Sequence, residues 1–345
     1  MSSVAFLYLV TRVHGLRTHL MTSDDIRFLA RSKGLREVSD NLLKTEYGTE
    51  ISKLPTKEVD AATLEAIFLK KLVERFFFLI RQAQGNMRDL LKEYCSRFEA
   101  ENIKRVIRAK HGGQIMEESN LIPLPREYTL VNFPALLNAK DVEEVVALLH
   151  ETSYRPLVES LQPYRETGST MVLEAGLDGI YLGKVWKIVG KVSGGNGLKN
   201  LVGEEIDLKN ILIAFSLKAR GLPSSLIEKM LIPLFHRVPK ERLHSLVQSR
   251  LEDAPGIVTT PRYRELISGA VNLARGGSAV LLERIFLKQL YEDASKALET
   301  YFLNVGYVIA YLLLCEREAR NLVTIATGKQ LSMGEEEISQ NLFEI

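Results

Sequence analysis

At 345 residues, 46% of them apolar and 26% charged, the chain has the make-up of a folded protein with a proper core, which excludes a disordered polymer and allows two or three domains. Its 45 basic and 43 acidic residues leave a formal charge of +2 and are mixed along the chain without a basic run, so nucleic acid is not an expected partner. Cys95 and Cys315 form no Cys-x-x-Cys pair and have no neighbouring histidine, which fits a reducing, intracellular setting.

Helical periodicity dominates from the start. The first helix is interrupted early by Arg12, His14 and Arg17, so the N-terminus does not read as a signal peptide. Leu64, Ile67, Phe68, Leu72, Phe76, Leu79 and Ile80 step by three and four, which predicts one amphipathic helix running toward Gly85. Asn86 is placed to cap the next helix, which continues through Leu90, Leu91, Tyr94, Phe98, Ile103, Val106 and Ile107 to Gly112-Gly113 and completes a long hairpin. Period-two alternation is confined to Glu127 to Phe133 and Gly256 to Thr260; both stand beside prolines and read as extended linkers. Boundaries are expected in the Pro-rich stretches Pro123 to Pro134 and Pro223 to Pro239. Between them Gly176, Gly179, Gly183, Gly190, Gly194, Gly195 and Gly197 predict broken or more mobile helices. The longest apolar run, Phe302 to Cys315, contains Asn304 and Gly306 and falls short of the roughly 20 residues that cross a bilayer, so membrane association would go through a partner.

Three stretches repeat one another. Leu64-Glu65, Leu173-Glu174 and Leu282-Glu283 are spaced by 109 residues, and the first and third open nearly the same nonapeptide, Leu64 to Leu72 and Leu282 to Leu290. Further on, each copy carries an acid, an Asn three later and a Lys eight beyond that: Glu99, Asn102 and Lys110; Asp207, Asn210 and Lys218; Glu318, Asn321 and Lys329. Leu-Ile-Pro-Leu follows at Leu121 to Leu124 and again at Leu231 to Leu234. Glu37, Leu42, Thr45 and Tyr47 match Glu144, Leu149, Thr152 and Tyr154 at an offset of 107. Three tandem helical repeats are therefore expected, at 1–120, 121–230 and 231–345, in an all-α fold.

With the Asn set at zero and about 100° per residue, the acid projects near 60° and the Lys near 80°, on the side of the apolar positions one, four and five residues beyond. The polar groups thus lean into the packed face. A buried polar group needs partners, and the acid and Lys are about 16 Å apart along one helix, so other helices are expected to hold them. The Lys also precedes Gly113 and Gly221, near helix ends where a cation offsets the negative pole. An internal polar clasp that fixes a helix crossing is preferred over a triplicated ligand site, because recurrence within one chain more often describes packing.

Catalytic chemistry has little to stand on. His14, His19, His111, His150, His236 and His244 include no i, i+4 pair and no His-Glu-x-x-His, so no metal site is assigned. Gly194-Gly195-Asn196-Gly197 precedes Leu198-Lys199-Asn200 rather than Lys-Ser or Lys-Thr, which describes a loop and not a phosphate cradle. No Gly-x-Ser-x-Gly occurs, and the single Trp186 reads as a core or subdomain contact rather than a stacking platform. No catalytic residue and no cofactor is assigned. Three similar helical units, arranged about a pseudo-threefold axis or stacked as a solenoid, would make a docking surface.

The chain resembles the C-type subunit of the archaeal-type (A-type and bacterial V-type) ATP synthase, whose counterpart in the vacuolar ATPase is the d-type subunit. Phe98 to Lys110, Glu205 to Asn210 and Glu316 to Lys329 carry the likeness, with Tyr8, Arg12-Val13 and Leu35 to Tyr47 in support, and it spans essentially the whole chain. The glycine-rich middle copy and Thr327 depart from the family pattern. The resemblance implies a funnel of three helical subdomains, peripheral to the membrane on its cytoplasmic face. There it would link the central shaft to the proteolipid ring as a non-catalytic rotor component that couples proton or sodium flux to ATP chemistry. It implies no cofactor, and the protein is expected to be monomeric when isolated. Arg12, Arg17, Arg220 and Arg237 are the candidates for contact with shaft or ring. The alternatives are a helical scaffold for another complex and an enzyme with an unrecognised helical site.

Overall fold

A computed structural model describes residues 3–55, 59–192, 196–258, 260–276, 279–301 and 304–343. In chain order the α-helices are α1 (Ser3–Arg17), α2 (Ser23–Ala30), α3 (Leu35–Leu42), α4 (Gly48–Ile51), α5 (Ala61–Gln82), α6 (Gly85–His111), α7 (Phe133–Asn138), α8 (Val142–Leu148) and α9 (Leu161–Thr167). They continue as α10 (Thr170–Val189), α11 (Asn196–Ala219), α12 (Ser224–Met230), α13 (Lys240–Gln248), α14 (Ala254–Ile257), α15 (Pro261–Arg275), α16 (Ala279–Thr300), α17 (Val305–Gln330) and α18 (Glu335–Gln340). Among the described residues there is no strand, so the fold is all-α. Of the two brief alternating stretches, one holds a 3-10 turn at Arg126–Tyr128 and the first residue of α7, and the other begins inside α14. Thr259, within the second, lies outside the described residues.

The contacts divide the chain into two compact units. One comprises Met1–Leu91, Ile122–Leu124 and Tyr291–Ile345; the other comprises Lys92–Leu121 and Pro125–Leu290. In the first, α5 lies along α17, with α1, α2 and α3 packed on α17 as well. Its core joins residues from opposite ends of the sequence: Ile26, Leu29, Val38, Leu42, Ile51, Leu64 and Phe68 meet Leu322, Ile325, Ala326, Ile338 and Leu342. The apolar run in α17 is therefore core. Val305 to Glu316 are all buried, as expected of a helix apolar all round, and no helix among the described residues is long and apolar enough to cross a membrane. Phe302, at the head of that run, is outside the described residues.

In the second unit α10 packs on α11, and α11 also meets α12, α13 and α15. The glycines of α10 do not break it: it runs unbroken past Gly176, Gly179 and Gly183. At Gly176 the reason is close approach, since a Cβ there would come within 2.7 Å of the Ser160 hydroxyl. Gly194 and Gly195, read as a loop, lie outside the described residues, and Asn196-Gly197 already belongs to α11.

Local chemistry sets the helix starts. Thr22 and Asp25 form a reciprocal capping box on α2, while Asp60, Asp141 and Asn304 cap α5, α8 and α17 by accepting backbone N–H groups. Asn86 lies within the first turn of α6 rather than ahead of it; the junction with α5 is made by Gly85, whose φ of 55° favours a residue without Cβ.

Candidate functional site

The three long helices α6, α11 and α17 end alike. Gly113, Gly221 and Ser332, with φ of 64°, 74° and 59°, each stand three residues after the repeated Lys and donate their N–H to its carbonyl. The next residue bonds five back, Gln114 to Ala109, Leu222 to Leu217 and Met333 to Gly328, closing a left-handed C-terminal cap in all three. The repeat is thus a repeat of backbone geometry as well as of side chains.

The acid and Asn of every copy are buried to 2% exposure or less. Glu99 Oε1 accepts the backbone N–H groups of Leu130 at 2.6 Å and Val131 at 3.1 Å. Asp207 accepts three, from His236 at 3.2 Å, Arg237 at 2.7 Å and Val238 at 3.2 Å. Glu318 Oε2 accepts that of Met21 at 2.6 Å. Asn210 exchanges bonds with Ile232, accepting its N–H at 2.8 Å and donating to its carbonyl at 3.1 Å; Asn321 does the same with Phe343 at 2.8 and 3.3 Å. Asn102 is equally buried. The partners of these groups are mostly backbone atoms of irregular segments, where neighbouring helices were expected, because a stretch without its own ladder has free N–H and C=O groups to satisfy. In the first two copies the Lys finds its partners at another helix's end: Lys110 Nζ donates to the Leu137 carbonyl at 2.6 Å, in the last turn of α7. Lys218 Nζ donates to Val247 at 2.6 Å and to Ser249, at the end of α13. Lys329 is half-buried.

A tyrosine and a cation complete two of the three clasps. Tyr47 and Tyr154 each follow the same turn, in which the hydroxyl of Thr45 or Thr152 bonds the carbonyl of Leu42 or Leu149 and receives the tyrosine N–H. The Tyr47 hydroxyl donates to Glu318 Oε1 at 2.6 Å, and Arg75 Nη1 reaches the same oxygen at 2.8 Å, with the two charged side chains only 6% and 2% exposed. Arg75 lies over the Tyr47 ring and turns its remaining nitrogens to Glu46. Burial pushes Tyr47 well above its ordinary pKa, with Glu318 adding to the rise. Burial also raises the Cys315 thiol, to about 12, against the pull of Arg75. In the second unit Lys184 sits over the Tyr154 ring at 4.7 Å and bonds Ser153. Burial raises Glu99, opposed by its backbone donors, by Tyr154 and by Lys184. Asp207 is pushed up to about 6 by burial, against three N–H donors and Arg237. Arg75 and Lys184 are 109 residues apart; the same step leads to the buried Asp293. That spacing was the signal by which Arg75 and Lys184 could have been found, and the tyrosines stood in the echo at 107.

One further buried cluster ties the second unit together. Asp178 on α10 takes Lys104 Nζ at 2.6 Å and Lys209 Nζ at 3.1 Å. Its burial would raise the carboxyl, but the two ammonium groups hold it down at about 2. Arg97 pairs with Glu205 at 2.7 Å across the Tyr94 ring.

The four arginines put forward as partner contacts are all exposed, Arg12 and Arg17 in the first unit and Arg220 and Arg237 in the second. Arg12 lies over Phe78 at 5.5 Å, and Arg17 ends α1. Arg220 bonds the Ser169 hydroxyl at 3.5 Å, and Arg237 pairs with Glu204 at 3.1 Å besides lending its N–H to Asp207. Trp186 stands edge-on to His236, their centroids 6.3 Å apart. Among the described residues no group of three His, Cys, Asp or Glu is placed to hold a metal ion.

The arrangement has relatives among known proteins. A family profile described as ATP synthase (C/AC39) subunit matches residues 9–341. The chain is 30% identical over 314 residues to the C-type subunit of the A-type ATP synthase of Methanothermobacter thermautotrophicus, covering 88% of this chain and 80% of that one. It is 26% identical to the same-named proteins of Haloferax volcanii, over 97% of this chain and 96% of that one, and of Methanocaldococcus jannaschii, over 99% and 86%. With the match running through all three clasps, the chain belongs to the ATP synthase (C/AC39) subunit family.

Proposed function

We propose that this protein is the central-stalk coupler of an A/V-type ATPase, joining the central shaft to the membrane proteolipid ring on the cytoplasmic face and passing torque between them. The coarser statement follows from the family: the chain is an ATP synthase subunit, structural and without an active site of its own. The whole-length match to proteins of that name is the observation that carries the finer proposal. The funnel of three repeats at 1–120, 121–230 and 231–345 belongs to the same proposal, as do Arg12, Arg17, Arg220 and Arg237 as contact residues and the nine repeated polar residues as a structural clasp.

The internal structure supports a role in bearing torque. Buried acids that bind backbone N–H groups leave a segment few alternative seats, since each displaced bond exposes an unpaired group in a dry interior. The test is affinity capture of the tagged chain from gently solubilised membranes of its own organism, with co-purifying proteins identified by mass. Recovery of both a small, highly apolar ring protein and a long coiled-coil shaft protein is expected. Recovery of neither would leave a helical scaffold for some other assembly.

A further inference from the structure

The three clasps differ in what they hold. Glu99 and Asp207 bind chain that follows their own helices, 31 and 32 residues on for Glu99 and 29 to 31 for Asp207. Glu318 instead binds Met21, 297 residues away, and Tyr47, 271 away. The third clasp is completed by the beginning of the chain. It is also the one with a direct buried ion pair, since Arg75 bonds Glu318 whereas Lys184 bonds Ser153 beside its tyrosine.

The segment so held is built of pieces that do not stand alone. α2 and α3 have eight residues each and α4 has four, far below the length at which a helix is stable in water. Their order comes from docking. Ile26, Leu29, Val38, Leu42 and Ile51 pack on Leu322, Ile325, Ala326, Ile338 and Leu342; the polar anchors toward α17 and α18 are Met21 and Tyr47 on Glu318 and the Arg31–Glu335 pair at the surface, while Glu46 pairs with Arg75 and Lys71 of α5 and Glu50 with Lys70. On either side the chain is fastened to α17 independently. α1 is held by the Tyr307 hydroxyl on His14, whose rings stack at 4.2 Å, and α5 lies along α17 itself.

We propose that residues 21–54 form a strap that docks on α17 as one cooperative element, latched by Glu318 with Tyr47 and Arg75, and that it opens as a unit while α1, α5 and α17 stay folded. Opening bares the face of α17 that carries Leu322, Ile325 and Ala326. Segments of low independent stability, held by a few buried polar anchors, are the ones that open sub-globally. The pairing of α5 with α17 gives the opened state a folded remainder to return to.

Hydrogen exchange of the full-length protein, read by mass spectrometry, tests this with wild type, Tyr47→Phe and Arg75→Lys. Tyr47→Phe keeps the ring against Phe68 and removes only the hydroxyl bond, so the protein stays folded for comparison. In wild type, peptides within 21–54 are expected to share one opening rate, faster than peptides within 305–316. Tyr47→Phe should raise exchange in 21–54 by about tenfold, the value of one buried hydrogen bond to a charged group, while peptides covering 128–138 and 236–248 keep the wild-type rate. Arg75→Lys should act in the same direction on the same peptides. Exchange in 21–54 no faster than in 305–316 would overturn the strap; an unchanged or uniformly raised exchange in Tyr47→Phe would overturn the latch.

Discussion

Glu318 accepts from Arg75, Tyr47 and Met21 in surroundings almost closed to water, so its charge is fully compensated only while all three are present. Removing one side of a buried pair strands the other, which typically costs about 3 to 5 kcal/mol. Arg75→Ala should therefore lower the unfolding free energy by about 3 to 5 kcal/mol. Lys184→Ala, which loses a cation–π contact and one hydroxyl bond, should lose only about 1 to 2 kcal/mol. Urea titrations of the two variants measure the contrast, and equal losses would mean that the ion pair adds nothing to the third clasp. The sequence could reach the side of the helix on which Glu318, Asp207 and Glu99 sit, because a 3.6-residue period fixes direction. It could not reach their partners, because backbone N–H groups of irregular segments leave no signature in residue identity. Nor did it connect Tyr47 with Glu318, because the two belong to opposite ends of the chain.

At the level of elements, the periodic helices were legible to within a few residues. Ala61–Gln82 and Gly85–His111 follow the apolar steps, since an amphipathic stripe of more than twenty residues has few other ways to bury itself. The short helices α7, α8 and α12 through α14 were not, because turns of four to nine residues are ordered by what they dock on. The glycines of α10 misled for a related reason: propensity predicts a break, and packing against Ser160 overrides it. The three C-terminal caps add a test. Gly113 and Gly221 meet a left-handed turn at no steric cost, whereas Ser332 adopts φ of 59° with a Cβ to accommodate. Ser332→Gly should raise stability by roughly 0.5 to 1 kcal/mol, less what the freer unfolded chain takes back, and Gly221→Ser should lower it by about as much. Thermal melts of both decide it, and a loss in Ser332→Gly would show that the Ser is held by more than its backbone.

For the molecule as a whole, buried carboxyls of opposite tendency set the dependence of stability on pH. Asp207 has its folded pKa raised from 3.8 to about 6, so folding favours its protonated form. That contribution is complete below about pH 4 and is lost as pH rises through 6, a span worth about 2 to 3 kcal/mol. Glu99 is shifted in the same direction by burial. Asp178 is held at about 2 by Lys104 and Lys209, so its contribution is present above about pH 4 and disappears as pH falls through 2. Wild type should therefore gain stability relative to Asp207→Asn as pH drops from 7 to 4, then lose it relative to Asp178→Asn between pH 4 and 2. Each variant has a lower baseline, so the informative quantity is the slope of melting temperature against pH rather than its value. A wild-type slope between pH 7 and 4 that matches that of Asp207→Asn would show that the three N–H donors at 236–238 outweigh burial and keep Asp207 ionised throughout.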